Sequence, residues 1–339
     1  TWGQAPIVFY RMLGLDYPRS IDAMLVVNLL TSSLVPPLVA LILLELGFSR
    51  REAFLPAIAM IAWPVLVVFA VCLNRQPLVI PLFLGAWYLM LRFTNRGDGI
   101  DLAGALLALT LVIQSRPEGA AALALAGLPV LLQPMPLRRR ALAGITLVLL
   151  AAGSLLYLQL LHINAKEVFA GGARLSALLP SLVVFDTDFT PAALIGLWVG
   201  GVVFGLALRS RAALQAALGV ALLVAVWLHT PVAGHFAGQR LQIASARYQT
   251  LLVLPLVIGL ALAVQAAGRV PSRWARLGVA AVAALGLALT WGRPYERVAQ
   301  PNTIDYEFRF ARQVVAALPP TRRWRCWIPL STTSPFRVT

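Results

Sequence analysis

Lysine is almost missing from this sequence: Lys166 is the only one. Acids are scarce as well, with 13 Asp and Glu against 28 basic residues, and charged residues make up only 12% of the chain. Soluble domains carry about 25%, so a water-facing surface of ordinary composition is excluded. Cysteine is limited to Cys72 and Cys326. They form no CxxC motif, which excludes a disulfide framework. No signal peptide or initiator Met precedes Thr1, and the opening in mid-sequence is that expected of a fragment. There is no GxGxxG, Walker loop, HExxH or nucleophile elbow, so no cofactor is expected. His162, His229 and His235 match no ligand spacing, and no metal site is expected of them.

What the chain has in abundance is apolar sequence. It is 60% hydrophobic, with a mean hydropathy of +0.81. Ten apolar runs follow one another: Ile21–Leu46, Phe54–Leu73, Pro77–Leu91, Ile100–Ile113, Ala120–Leu132, Ala141–Leu161, Pro191–Leu208, Ala212–Leu228, Leu251–Ala267 and Leu277–Trp291. The pattern predicts an all-α polytopic membrane protein of about ten transmembrane helices, some short or broken. Three regions are expected. Residues 1–20 read as the end of an outer interfacial loop, 21–292 as a multi-span membrane domain, and 293–339 as the start of a truncated outer soluble segment.

The net charge of +15 is carried almost wholly by arginine. In a soluble chain that excess would suggest nucleic acid. Here the arginines sit in short loops between apolar runs, so membrane topology accounts for them and no nucleic-acid partner is expected. One alternate set of loops holds twelve: Arg50, Arg51, Arg92, Arg96, Arg138, Arg139, Arg140, Arg209, Arg211, Arg269, Arg273 and Arg276. The other set holds six basic residues: Arg75, Arg116, Lys166, Arg174, Arg240 and Arg247. The positive-inside rule places the richer set in the cytoplasm. Both ends of the chain then lie outside, which a missing upstream span would explain.

The outer side collects the irregular sequence. Gln114-Ser115-Arg116-Pro117-Glu118-Gly119 interrupts two runs of about a dozen residues each. A dozen helical residues cover ~18 Å, against a hydrocarbon core of ~30 Å. Arg116 and Glu118 are therefore expected near or below the membrane surface, as a salt-bridged turn or as the charged wall of a polar cavity. A charge at the bilayer centre costs roughly 2.5–3.5 kcal/mol on insertion scales, so the two should face each other or water. Longer outer loops run from His162 to Thr190 and from His229 to Thr250. The stretch Arg174–Val184 is apolar enough to lie on the membrane as a short helix. After Trp291, Asn302 or Thr303 can cap a helix with a face of Ile304, Phe308, Ala311, Val315 and Leu318, stopped by Pro319-Pro320. Trp324–Leu330 could begin a strand.

Arg75 follows a run in Leu73-Asn74-Arg75-Gln76-Pro77, and Arg247 opens one in Ser245-Ala246-Arg247-Tyr248-Gln249. Guanidinium forks at such boundaries suit phosphate or carboxylate groups, whether of a substrate or of lipid headgroups.

The order of these features resembles the polyprenyl-phosphate-dependent membrane glycosyltransferases of the GT-C superfamily, such as protein O-mannosyltransferases and the lipid A aminoarabinose transferase. The resemblance covers Thr1 to about Pro320. Its carriers are the segment Trp2–Leu15, the turn Gly47-Phe48-Ser49-Arg50-Arg51, Trp63-Pro64, Arg75 and Ser115-Arg116-Pro117-Glu118. Later come Arg247-Tyr248 followed by Pro255, and Tyr306-Glu307-Phe308 to Leu318-Pro319-Pro320. It implies a bacterial inner-membrane enzyme that moves a sugar from a polyprenyl-phosphate donor, with membrane lipids as its surroundings. The substrate-binding set it implies is Arg75, Arg116, Glu118, Arg240, Arg247 and Tyr248. The family's catalytic acid lies in the first outer loop, and no residue here matches that position; Asp16 and Asp22 come later. The expectation is a fragment lacking the first span and that acid. The rival readings are a secondary transporter of an anionic solute and an O-antigen-ligase-like enzyme.

Overall fold

The structure, a computed structural model, describes residues 9–15, 21–61, 76–115, 119–160, 192–229 and 250–270, with isolated positions between 63 and 70 and between 272 and 281. Among these residues every regular element is helical and there is no strand. The all-α expectation is met. The strand at Trp324–Leu330, the surface helix at Arg174–Val184, the run Leu277–Trp291 and the segment 293–339 lie outside the described residues.

The run from Ile21 divides into α1, Ile21–Ser32, and α2, Val35–Glu45. Pro36 and Pro37 fall in the first turn of α2, where a missing backbone N–H costs nothing, so the helix restarts there. Helix α3, Arg50–Ile61, starts four residues before its apolar run. The Glu52 carboxylate accepts the Ser49 backbone N–H at 2.7 Å, closing one half of a capping box. Next come α4, Gln76–Arg96, and α5, Gly99–Ser115. Asp98 caps α5 by accepting the Ile100 N–H at 3.0 Å. Then follow α6, Gly119–Leu132; α7, Leu137–Leu160; α8, Ala192–Ala207; and α9, Arg211–His229. A 3₁₀ turn, Thr250–Leu252, leads into α10, Val253–Arg269.

Two helices organise the packing. Helix α4 is surrounded by α1, α2, α5 and α6, and α10 by α2, α3, α8 and α9. Every residue of α10 from Val253 to Leu262 is buried, as befits a helix that is apolar all round. The principal core includes Ile42, Leu43, Met60, Trp63, Phe83 and Trp87. A smaller core of Met90, Phe93, Leu102, Ala105, Val130 and Ala143 ties together one end of α4, α5, α6 and α7.

Two tryptophans fix helix pairs through main-chain carbonyls. Trp87 Nε1 donates to Leu125 O at 2.9 Å. Pro129, one turn on, has no N–H to offer that carbonyl, and the indole takes its place. Trp198 Nε1 donates to Pro255 O at 2.9 Å, joining α8 to α10. Their crossing is close: a Cβ on Gly201 would overlap the Gly259 carbonyl and stand 2.7 Å from Ala263 N. The spacing Gly201-x-x-x-Gly205 is the small-residue pattern that lets helix backbones touch.

The outward faces are apolar rather than charged. Helix α7 exposes Leu142, Ile145, Val148, Leu149 and Leu156, and α3 exposes Phe54, Leu55, Ile58 and Ile61. By length and composition Asp22–Glu45 and Pro77–Arg96 can each cross a membrane, and shorter apolar helices accompany them.

Candidate functional site

Side chains knit together the turns after α2, α4 and α6, and a separate contact joins the ends of α8 and α10. Arg96 and Asn95 of α4 both reach Glu45 at the end of α2, Asn95 Nδ2 at 3.0 Å from the carboxylate and Arg96 as an ion pair. Arg92 Nε lies 3.3 Å from Asp101 Oδ2 and its guanidinium stands over the Tyr88 ring at 5.7 Å. Neither of those two atoms is in hydrogen-bond alignment, so their attraction is Coulombic. Asp101 is only 4% exposed, in the first turn of α5, where the helix dipole also favours its charge. Arg140 Nη2 donates to Gln133 O at 3.1 Å, closing the end of α6. Arg269 covers the Phe204 ring at 5.4 Å.

Sequence reasoning places the functional residues beside the remaining helix termini. Arg75, Arg116, Glu118, Arg240, Arg247 and Tyr248 themselves lie outside the described residues, as do Lys166, Arg174, His162 and His235. The helix termini they adjoin in sequence are described. Gln76 opens α4, Ser115 closes α5, Gly119 opens α6, His229 closes α9 and Thr250 opens the turn before α10. These helices form one packed set: α4 against α5 and α6, α6 against α9, and the Thr250–Leu252 turn against α4, α9 and α10. Helices α5 and α6 have 17 and 14 residues. At ~1.5 Å per residue both are shorter than a ~30 Å hydrocarbon core. Ser115, the last residue of α5, is buried and its hydroxyl donates to Leu111 O at 2.6 Å.

One polar contact was not foreseen. The Tyr10 hydroxyl donates to Asn28 Oδ1 of α1, and Phe9 packs on the Tyr10 ring at 5.7 Å. Burial pushes the Tyr10 phenol above its ordinary value, and the Asn28 bond draws it partly back. Asn28 is 1% exposed. A lone carboxamide inside an apolar run is the signal that could have flagged it. Gln215 of α9 is the same kind of residue, buried with no partner for either side-chain atom among the described residues.

No protein-family model, curated protein or solved structure matches the chain.

Proposed function

We propose that this is a polytopic membrane protein of about ten spans that transfers a sugar from a polyprenyl-phosphate donor to an acceptor on the non-cytoplasmic face. The observation that carries the reading is the alternation of short arginine-rich turns with polar breaks: Arg75, Arg116-Pro117-Glu118 and Arg247-Tyr248 adjoin, in sequence, helices that pack as one set. The apolar outward faces of α3 and α7 support a lipid environment.

Such a layout suits the chemistry. The donor's tail needs lipid, its phosphate needs cations at the boundary, and its sugar needs a wet cavity. In this reading Arg247, Arg240 and Arg75 stabilise the leaving phosphate as its charge builds, and Tyr248 lines the same entry. Arg116 and Glu118 shape the cavity or orient the sugar. The base that takes the acceptor proton is assigned to no residue of this chain.

The test is turnover of a panel of polyprenyl-phosphate sugars by the purified protein in its full natural length. Arg247→Ala is expected to lower turnover on the order of a hundredfold, the usual cost of losing one charge-stabilising donor. Unchanged turnover would remove the principal site. The α1–α2 break and the short α5 and α6 are also features of secondary transporters. Solute uptake by proteoliposomes, with no sugar transfer in the panel, would mark that reading instead.

A further inference from the structure

The turns after α2, α4, α6 and α8 and the end of α10 carry more positive charge than their acids can balance. The described residues there include eleven arginines: Arg50, Arg51, Arg92, Arg96, Arg138, Arg139, Arg140, Arg209, Arg211, Arg269 and Arg273. They include four acids, each already committed. Glu45 holds Arg96 and Asn95, Asp101 holds Arg92, Glu52 caps α3 and Asp98 caps α5. The imbalance, eleven less four, leaves seven positive charges.

It is most sharply placed where α7 begins. Arg138 is exposed and Arg139 is half-buried, and neither has an acid partner among the described residues. Arg139 is not loose, however. Its guanidinium lies flat on Gly97, in the turn between α4 and α5, where a Cβ would overlap it. Gly97 has φ +82°, a left-handed value that favours glycine in any case. The α4–α5 turn thus forms a seat for a guanidinium with no acid partner among the described residues. The smaller core beneath holds that seat rigid by packing α4, α5, α6 and α7 together.

An apolar track leads away from the charges. Leu137 is 79% exposed and Ile100 80%, and Leu107, Leu142, Ile145 and Leu149 continue along the outer faces of α5 and α7, which pack against each other. A cation pair at the head of an exposed hydrocarbon surface matches an amphiphile, not a free anion. We infer that Arg139, seated on the Gly97 turn, and its neighbour Arg138 bind the phosphodiester of an anionic phospholipid whose acyl chains lie along α5 and α7. The inference rests on the membrane reading of the bundle but not on sugar transfer.

The experiment is titration of the detergent-purified protein with phosphatidylglycerol, phosphatidylcholine and inorganic phosphate, read by native mass spectrometry of retained lipid. Phosphatidylglycerol is expected to be retained over phosphatidylcholine, and millimolar inorganic phosphate is expected not to displace it. Arg138→Gln with Arg139→Gln should weaken phosphatidylglycerol binding roughly thirtyfold, at about fivefold for each basic residue near an anionic lipid. Arg139→Lys, which keeps the charge, should retain most of the affinity and shows that loss in the double variant is not misfolding. Arg273→Gln, at an arginine beyond α10, should change binding less than twofold. Equal retention of both lipids, displacement by inorganic phosphate, or equal losses from Arg273→Gln and the double variant would each overturn the inference.

Discussion

Trp87 shows how much one side chain can hold in an apolar interior. Its indole supplies the hydrogen bond that Pro129 cannot return to Leu125 O. Trp87→Phe fills nearly the same space but strands a buried carbonyl, so it should lower stability by about 1–3 kcal/mol. Pro129→Ala gives that carbonyl a backbone donor, and the double variant should recover part of the loss. Equilibrium unfolding in mixed detergent micelles measures both, and strictly additive losses would argue against the coupling. Residue-level contacts of this kind were hardly legible beforehand. Trp87 and Leu125 are 38 positions apart, Trp198 and Pro255 57, and Tyr10 and Asn28 18. Hydrophobic periodicity reports which residues face inward, not which distant donor meets which carbonyl. What the sequence does show is the anomaly itself: a proline within a helix, or one carboxamide in an apolar run.

Among elements, the crossing of α8 and α10 depends on the absence of side chains. Gly201 faces the Gly259 carbonyl, Gly259 faces Trp198, and a Cβ on Gly205 would lie 3.0 Å from the Leu262 methyls. Gly201→Ala should push the two backbones apart and cost about 1–3 kcal/mol, the usual penalty of overpacking. Gly200→Ala, where the added Cβ meets nothing within 4 Å, should change stability by less than about 0.5 kcal/mol. Unfolding transitions of the two variants provide the check, and equal effects would mean that the close approach is unimportant. Element positions were largely legible because long apolar runs announce helices. Their ends were less so. The reading from hydropathy began the second run at Phe54, whereas α3 begins at Arg50, because a capping box initiates a helix with polar residues. Hydropathy also ran Ile21–Leu46 together, whereas Pro36-Pro37 divides it into α1 and α2. The proposed site residues, from Arg75 to Tyr248, rest on sequence order and on the termini beside them. Their mutual distances are not encoded in local spacing.

At the scale of the whole molecule, the account stands on polarity of placement. In the proposed reading, short arginine turns share one side of the membrane and polar interruptions the other, and the lipid site proposed at the Gly97 turn requires the same orientation. The decisive measurement is cysteine accessibility in intact cells expressing the protein, with Cys72 and Cys326 replaced by Ala. Single cysteines would be placed at Ser210, in the turn between α8 and α9, and at Ala237, between α9 and α10. A membrane-impermeant maleimide, applied after the outer membrane is opened, should label Ala237→Cys and spare Ser210→Cys until the cells are lysed. Labelling of Ser210→Cys with protection of Ala237→Cys would contradict the account.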